Sequence, residues 1–179
     1  AVSNGTAHIT ATLGSGAQAT ATVTVETKVE SVNISELEAW IEKGSSTYSI
    51  SATVSPDNAT DKTISWATDD PNVATVANGV VTGVEVGTAH ITATAGGKSK
   101  QVTIHVKISA TNVEINQGPV VRLERGQSAN LTVTKTPSNT TDTLTWESNR
   151  EDRVTVTSGG VVTASSTNTG PATITAKYD

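Results

Sequence analysis

Carboxylates gathered in two loops are the first side chains in this 179-residue sequence that could do chemistry, because they could bind a metal ion. Asp57 and Asp61 bracket one loop, and Asp69 and Asp70 begin another. Ca²⁺ takes roughly six to eight oxygen ligands, whereas the sequence contains no Asp-x-Asp-x-Asp-Gly spacing. Carboxylates in turns are usually solvated and bonded to their own backbone. We therefore expect no cofactor, and calcium is the one ion that these four residues could bind.

The three histidines indicate neither a catalytic site nor a zinc site. His8, His90 and His105 each alternate with Ile, Val or Ala, which predicts that their rings face away from the buried side of a strand. The sequence has no Cys and no His-x-x-x-His pair, so it lacks a zinc-binding set. It also contains no Gly-x-Ser-x-Gly elbow and no phosphate-binding loop. We therefore expect a protein that is not an enzyme.

An internal repeat relates several of these residues to one another. The octet GTAHITAT at residues 5–12 recurs unchanged at residues 87–94, and a looser copy occupies residues 170–176. Trp66 keeps step with Trp146 in the same register. Self-similarity at a fixed period is typical of tandem modules, each of which is one structural unit.

The repeat predicts a division of the chain into three parts. We interpret residues 1–26 as the C-terminal strands of repeat one, residues 27–106 as a complete repeat two, and residues 107–179 as repeat three without its last strand. The incomplete end repeats fit a window on a longer array. An alternative hypothesis is that the terminal strands of one chain complete the open sheet of a neighbour.

Repeat two contains a series of short strand patterns. Residues 48–54 alternate Tyr, Ile, Ala and Val with Ser and Thr, which is the period of one strand with one buried face. Asn78-Gly79 joins two apolar stretches and predicts a type I′ hairpin, because both residues tolerate positive φ. No apolar set recurs at helical spacing. The sequence therefore predicts an all-β fold of tandem immunoglobulin-like β-sandwich modules with Greek-key topology.

The three tryptophans fall into two classes. Trp66 and Trp146 lie in equivalent strand patterns, where a buried Trp anchors this kind of sandwich. Trp40 lies between Ala39 and Ile41, so alternation directs it outwards, where it could contact a sugar or a protein receptor. It could equally pack at the junction between repeats. The predicted core residues of repeats two and three are Trp66, Trp146, Ile64, Leu144, Ile91 and Ile174.

An ordered set of motifs in repeat two carries a family resemblance. These motifs are Pro56-x-Asn58-Ala59-Thr60, Ile64-Ser65-Trp66, Pro71-Asn72-Val73-Ala74-Thr75-Val76, Asn78-Gly79-Val80-Val81-Thr82 and Gly87-Thr88-Ala89-x-Ile91-Thr92-Ala93. Together they resemble the bacterial Ig-like group 2 (BIG2) family. Repeat three departs from the pattern at residues 150–154 and 158–160, both of which are predicted loops.

The resemblance implies a role more loosely than it implies a fold, because function depends on a site. Members of this family occur in adhesins, cell-wall proteins, secreted glycoside hydrolases and phage particles, and some bind calcium. We therefore expect a non-catalytic extracellular module that acts as a structural spacer or adhesive element of a bacterial surface protein or phage particle. The alternative is a carbohydrate- or receptor-binding module that targets a larger secreted enzyme or virion to a cell surface.

Composition and charge exclude some classes of binding partner. The net charge is −5 and the sequence has no clustered Lys and Arg, so we expect no nucleic-acid binding. No apolar stretch is long enough to cross a bilayer, so we expect no membrane insertion. The expected partners are a cell-surface glycan, a protein receptor or neighbouring Ig-like repeats. The expected location is the bacterial cell surface, the secreted fraction or the exterior of a phage virion.

Overall fold

The computed structural model of the protein describes residues 3–45 and 48–178. All regular structure in the described residues is β-strand, which confirms the all-β prediction. The chain divides between Val106 and Lys107 into two compact units. The finer division into three repeats stays a prediction, and the names repeat one, two and three are kept below for residues 1–26, 27–106 and 107–179.

The first unit begins with an antiparallel hairpin of β1 (Gly5–Thr12) and β2 (Gln18–Val25). One face of the hairpin is polar and carries side-chain hydrogen bonds across the strands, such as that between His8 Nδ1 and Thr22 Oγ1 (3.1 Å). The other face is apolar and exposed, with Ile9 at 61% and Val23 at 42%. The hairpin thus has a clear inward side, and no described residue buries it.

Repeat two forms the two facing layers of an Ig-like sandwich. Its strands are β3 (Ser31–Ile34), β4 (Glu38–Glu42), β5 (Tyr48–Ser49), β6 (Ala52–Ser55), β7 (Ser65–Thr68), β8 (Ala74–Ala77), β9 (Val80–Gly83), β10 (Gly87–Ala95) and β11 (Lys98–Lys107). One sheet has the order β4-β11-β10-β7, and the other layer contains the pair β3-β6 and the three-stranded sheet β5-β9-β8. β10 lies antiparallel between β7 and β11, so this strand is central.

The prediction of one strand across residues 48–54 is wrong. The structure divides it into β5, which pairs with β9, and β6, which pairs with β3. The change of partner occurs at Ile50, whose N–H donates to Gly79 O (2.8 Å), and at Ser51, whose carbonyl accepts from Ser35 N (3.0 Å). Alternation continues through the crossing because Ile50 is still buried, so periodicity alone does not reveal the break.

The core of repeat two lies between the two layers. Its larger cluster joins residues from both: Ala39, Ile41, Ile50, Ala74, Val81, Ala89, Ile91, Val102, Ile104 and Val106. Trp66 is half-buried and packs against this cluster and against a second one around Val32, Val54 and Ala93. Small β-branched side chains fill most of the space, as the composition predicts.

The second unit repeats the arrangement with shorter strands. They are β12 (Asn112–Ile115), β13 (Ser128–Asn130), β14 (Val133–Thr136), β15 (Leu144–Ser148), β16 (Val154–Val156), β17 (Val161–Ala164) and β18 (Ile174–Tyr178). The ladders are β12-β14, β13-β17-β16 and β15-β18. The described residues 119–124, which match β4 in the repeat, form no strand.

Candidate functional site

The outer face of the β4-β11-β10-β7 sheet carries the most exposed tryptophan. β4 alternates the buried Ala39 and Ile41 with outward side chains, and this alternation places Trp40 on the outer face with 62% exposure. A large exposed aromatic side chain is a common anchor of binding sites. The other two tryptophans are half-buried in their repeats.

His105 and Glu38 hold the Trp40 ring in place. The Trp40 and His105 rings stack, with centroids 4.2 Å apart and planes 21° apart. His105 Nε2 lies 2.8 Å from Glu38 Oε1, and its Nδ1 lies 3.0 Å from Thr88 Oγ1. A neutral ring satisfies both contacts when Nε2–H donates to Glu38 and the Thr88 hydroxyl donates to Nδ1. His105 therefore covers one face of the indole, while the Trp40 residue as a whole stays 62% exposed.

The four candidate calcium ligands use their oxygens for local structure or stay solvated. Asp61 Oδ1 accepts from Thr63 N (2.8 Å), and Asp70 Oδ1 accepts from Asn72 N (3.0 Å). The Thr63 side chain, followed by its backbone N–H, lowers the pKa of Asp61. The Asp57 side chain is exposed. Throughout residues 3–45 and 48–178, no three His, Asp or Glu side chains converge to form a metal-binding group.

Asp69 joins β7 to β10 through His90. Its Oδ1 accepts from the His90 backbone N–H (2.6 Å), and its Oδ2 lies 2.7 Å from His90 Nδ1. The backbone bond, followed by the side-chain bond, lowers the pKa of Asp69. Asn149 makes the same connection in repeat three, where its Oδ1 accepts from Thr173 N (2.8 Å). An amide and a carboxylate are thus interchangeable here, which indicates a structural clamp.

The predicted core residues differ in burial. Ile91 is fully buried, whereas the others are half-buried in the described structure: Trp66, Trp146, Ile64, Leu144 and Ile174. Repeat three is the more open of the two, with Leu131 and Val162 as its buried apolar side chains among the described residues. The residues around Trp40 were not predicted as a group, since Glu38, Thr88 and His105 come from different strands. Outward alternation on β4 and β11 was the one signal that could have found them.

The described residues contain no helix long and apolar enough to cross a membrane.

In a comparison with known sequences, the chain is 35% identical over 123 residues to an alpha-L-arabinofuranosidase of Bifidobacterium longum subsp. longum, covering 65% of this chain and 11% of that protein. It is 33% identical over 123 residues to an uncharacterised protein of Clostridium acetobutylicum, covering 66% of this chain and 13% of that protein. The chain therefore spans only a small part of these relatives.

Comparison with solved structures gives matches of low sequence identity. Domains 4–9 of the surface layer protein SbsC match with a TM-score of 0.40 and 20% identity, covering 97% of this chain and 33% of that one. Extracellular domains 3–5 of Drosophila OTK match with a TM-score of 0.43 and 11% identity, covering 98% of this chain and 70% of that one. The bacterial Ig-like domain (group 2) profile matches residues 28–106 and 109–178, so the chain belongs to this family of Ig-like domains and carries it in tandem.

Proposed function

We propose that the chain is a non-catalytic spacer module of a larger extracellular protein, on a bacterial surface, in a secreted enzyme or on a phage particle. The observation that carries this proposal is a pair of hydrogen bonds that fixes the opening segment of each repeat to a loop, which follows β6 in repeat two and β14 in repeat three. A spacer needs such attachment, because a free linker would let neighbouring modules move apart.

The same attachment occurs in both compact units. In the first, Thr27 N donates to Thr60 Oγ1 (2.9 Å), and Thr60 N donates to Thr27 O (2.9 Å). In the second, Ile108 N donates to Thr141 Oγ1 (3.1 Å), and Thr141 N donates to Ile108 O (2.8 Å). Asn4 of repeat one adds to the first attachment, because its Oδ1 accepts from the Thr27 hydroxyl (2.6 Å).

The sequence relatives support a role as one module among several. The chain covers 11% of the Bifidobacterium longum arabinofuranosidase, so that protein has most of its length elsewhere. A non-catalytic module that positions another part of such a protein accounts for this proportion. The extracellular location belongs to the same proposal and rests on the family membership.

Force spectroscopy of the full chain tests the spacer role. We expect two separate unfolding events, one from each compact unit, since each contains its own core. Thr60→Val removes the hydroxyl that accepts from Thr27 N, and it should lower the force at which the first compact unit unfolds. Thr53→Val is the matched control, because Thr53 is exposed on β6 and takes no part in this attachment. Extension without discrete events would contradict the proposal.

Trp40 favours a second candidate function, recognition of a glycan. The exposed indole offers a flat apolar surface, and Glu38 lies beside it on β4 with a carboxylate that can accept hydrogen bonds from hydroxyl groups. The stack on His105 fixes the ring before any ligand arrives, which lowers the entropy that binding would cost. The ligand class that fits is the ring of a neutral sugar within a polysaccharide.

Binding of the full chain to bacterial cell walls and a glycan panel tests this second function. Trp40→Ala should abolish saturable binding, and Leu13→Ala is the control for loss of an exposed apolar side chain elsewhere, at 68% exposure. Retention of binding by Trp40→Ala, or its absence from the parent chain, would contradict glycan recognition at this site. The assay is run with calcium and with a chelator.

A further inference from the structure

We propose that the Trp40 site prefers a neutral sugar that carries an acetamido group, with the amide N–H donating to Glu38 and the methyl group packing against the indole. This inference rests on glycan recognition, the second of the proposed functions, and names the class of sugar that the site takes. Its basis is an exposed aromatic ring and an acceptor that lie side by side and contact the same histidine.

Glu38 and Trp40 project from the same face of β4. The alternation of this strand buries Ala39 and Ile41, so the side chains of Glu38 and Trp40 point outwards from positions two residues apart. Neighbours of this kind on one strand face are separated by about 7 Å. A single sugar residue together with its substituent can therefore contact both side chains at once.

His105 holds both of these contact groups. Its ring stacks on the indole of Trp40, with the two centroids 4.2 Å apart, and its Nε2 lies 2.8 Å from Glu38 Oε1. The side chain of His105 is 20% exposed, whereas that of Glu38 is 63% exposed. His105 thus occupies Oε1 from the protein side, and Oε2 of the same exposed carboxylate can accept from a ligand.

The acetamido group matches the two halves of the site. A carboxylate such as Glu38 accepts hydrogen bonds and cannot donate, and an amide N–H is a donor that such an ionised acceptor binds strongly. The methyl group on the other side of the amide loses its contact with water when it packs against the Trp40 indole. A plain hydroxyl group supplies a donor without the apolar part. The acetamido group therefore uses both features of the site, and a hydroxyl group uses one.

Charge favours a neutral ligand at this site. Glu36, Glu38 and Glu42 lie within one short segment of a chain whose net charge is −5, so an acidic sugar would be repelled. Lys43 follows this segment, but its Nζ is bonded to both carboxylate oxygens of Glu85. The ammonium group of an amino sugar would be attracted to Glu38, yet an ion pair at so exposed a carboxylate is screened by water and adds little affinity.

Calorimetric titration of the full chain with three soluble oligomers tests the preference. The oligomers share one β-linked backbone and consist of N-acetylglucosamine, glucose or glucosamine, so that they differ only in an acetamido, hydroxyl or ammonium group. We expect the N-acetylglucosamine oligomer to bind about tenfold more tightly than the glucose oligomer. The glucosamine oligomer should gain less than about fivefold over glucose, and added salt should remove this gain. Trp40→Ala should abolish binding of all three.

The outcomes separate this inference from glycan recognition itself. Equal affinity for the three oligomers, or tightest binding of the glucosamine oligomer, would overturn the acetamido preference and leave glycan recognition at Trp40 intact. Absence of binding by all three to the folded parent chain would overturn both.

Glu38→Gln tests the hydrogen bond, because it removes the charge and keeps the size of the side chain. It should reduce the ratio of the affinities for the N-acetylglucosamine and glucose oligomers. Glu42→Gln is the matched control, since Glu42 is exposed on the same face of β4 on the other side of Trp40, and it should leave the ratio unchanged. A ratio that is unchanged in Glu38→Gln, or equally reduced in both variants, would contradict the assignment of Glu38 as the acceptor.

His105→Phe tests the positioning role of the histidine. Phenylalanine keeps a flat ring beside the Trp40 indole but lacks the N–H that donates to Glu38. The variant should therefore still bind the glucose oligomer while losing part of its preference for N-acetylglucosamine. His105→Ala removes the stack as well and should weaken binding of every oligomer. Identical effects of the two substitutions would show that His105 does not hold Glu38 for the ligand.

Discussion

Gly79 packs so closely against Trp66 and Ile50 that a Cβ at the glycine would lie 3.4 Å from Trp66 Cζ2 and 2.5 Å from Ile50 O. Gly160 and Trp146 make the same contact in repeat three, with 3.0 Å to Cζ2. Both glycines have φ of 81°. Within each repeat, the hairpin turn and the sandwich tryptophan therefore form one unit. The glycine of the turn is constrained twice, by its positive φ and by its contact with the tryptophan.

Gly79→Ala should destabilise the first compact unit by more than backbone strain alone. Strain from positive φ costs about 1–3 kcal/mol for a residue with a Cβ, and contact with the Ile50 carbonyl adds to it. Gly97→Ala is the control, because Gly97 has φ of 76° and nothing within 4 Å of the added Cβ. Urea unfolding of both variants measures the difference. Equal losses would show that the contact with Ile50 and Trp66 contributes nothing.

Trp66→Ala should lower the free energy of unfolding by about 3 kcal/mol, because it leaves a cavity between the two apolar clusters. Trp40→Ala is the matched control, since it removes the same side chain from an exposed position and should change stability little. Thermal or urea unfolding followed by circular dichroism checks both variants. Similar losses in the two would contradict a core role for Trp66.

Sequence patterns predicted the strands and turns well where the local backbone decides the structure. Asn78 and Gly79 both have positive φ, at 51° and 81°, as the type I′ turn requires. Outward alternation likewise gave the direction of Trp40. The crossing at Ile50 was missed, because a residue that changes sheets while staying buried leaves the apolar period intact.

Burial is the property that local sequence could not supply. Ile9 and Ile91 lie in identical octets, yet one is 61% exposed and the other is 0% exposed. Their difference lies in the strands that cover them, not in their neighbours along the chain. The Trp40 site was hidden for the same reason, since His105 reaches the indole from another strand of the sheet.

The Tyr48 hydroxyl should titrate at unusually high pH. Its hydrogen bond to Glu36, followed by burial, raises its pKa from 10.0 to about 12. A pKa raised on folding contributes stability below the ordinary value, and this contribution is lost as pH rises from about 10 to about 12. Spectrophotometric titration of Tyr178→Phe, which leaves Tyr48 as the sole tyrosine, measures the pKa. Adding Glu36→Gln should lower it, and an unchanged value would contradict the role of Glu36.

The Asp69 clamp should make the first compact unit sensitive to acid. Folding lowers the pKa of Asp69, so its stabilising contribution is present above the ordinary value of 3.8 and is lost as pH falls through the lowered value. Asp69→Asn should keep the bond from His90 N, as Asn149 does from Thr173 N, while removing this acid dependence. Asp69→Ala should lose the bond at every pH, because it leaves the His90 N–H without its acceptor. Urea unfolding at neutral and acidic pH separates the variants. An Asn variant as unstable as the Ala variant at neutral pH would show that the carboxylate charge, and not the acceptor oxygen shared with repeat three, holds β7 to β10.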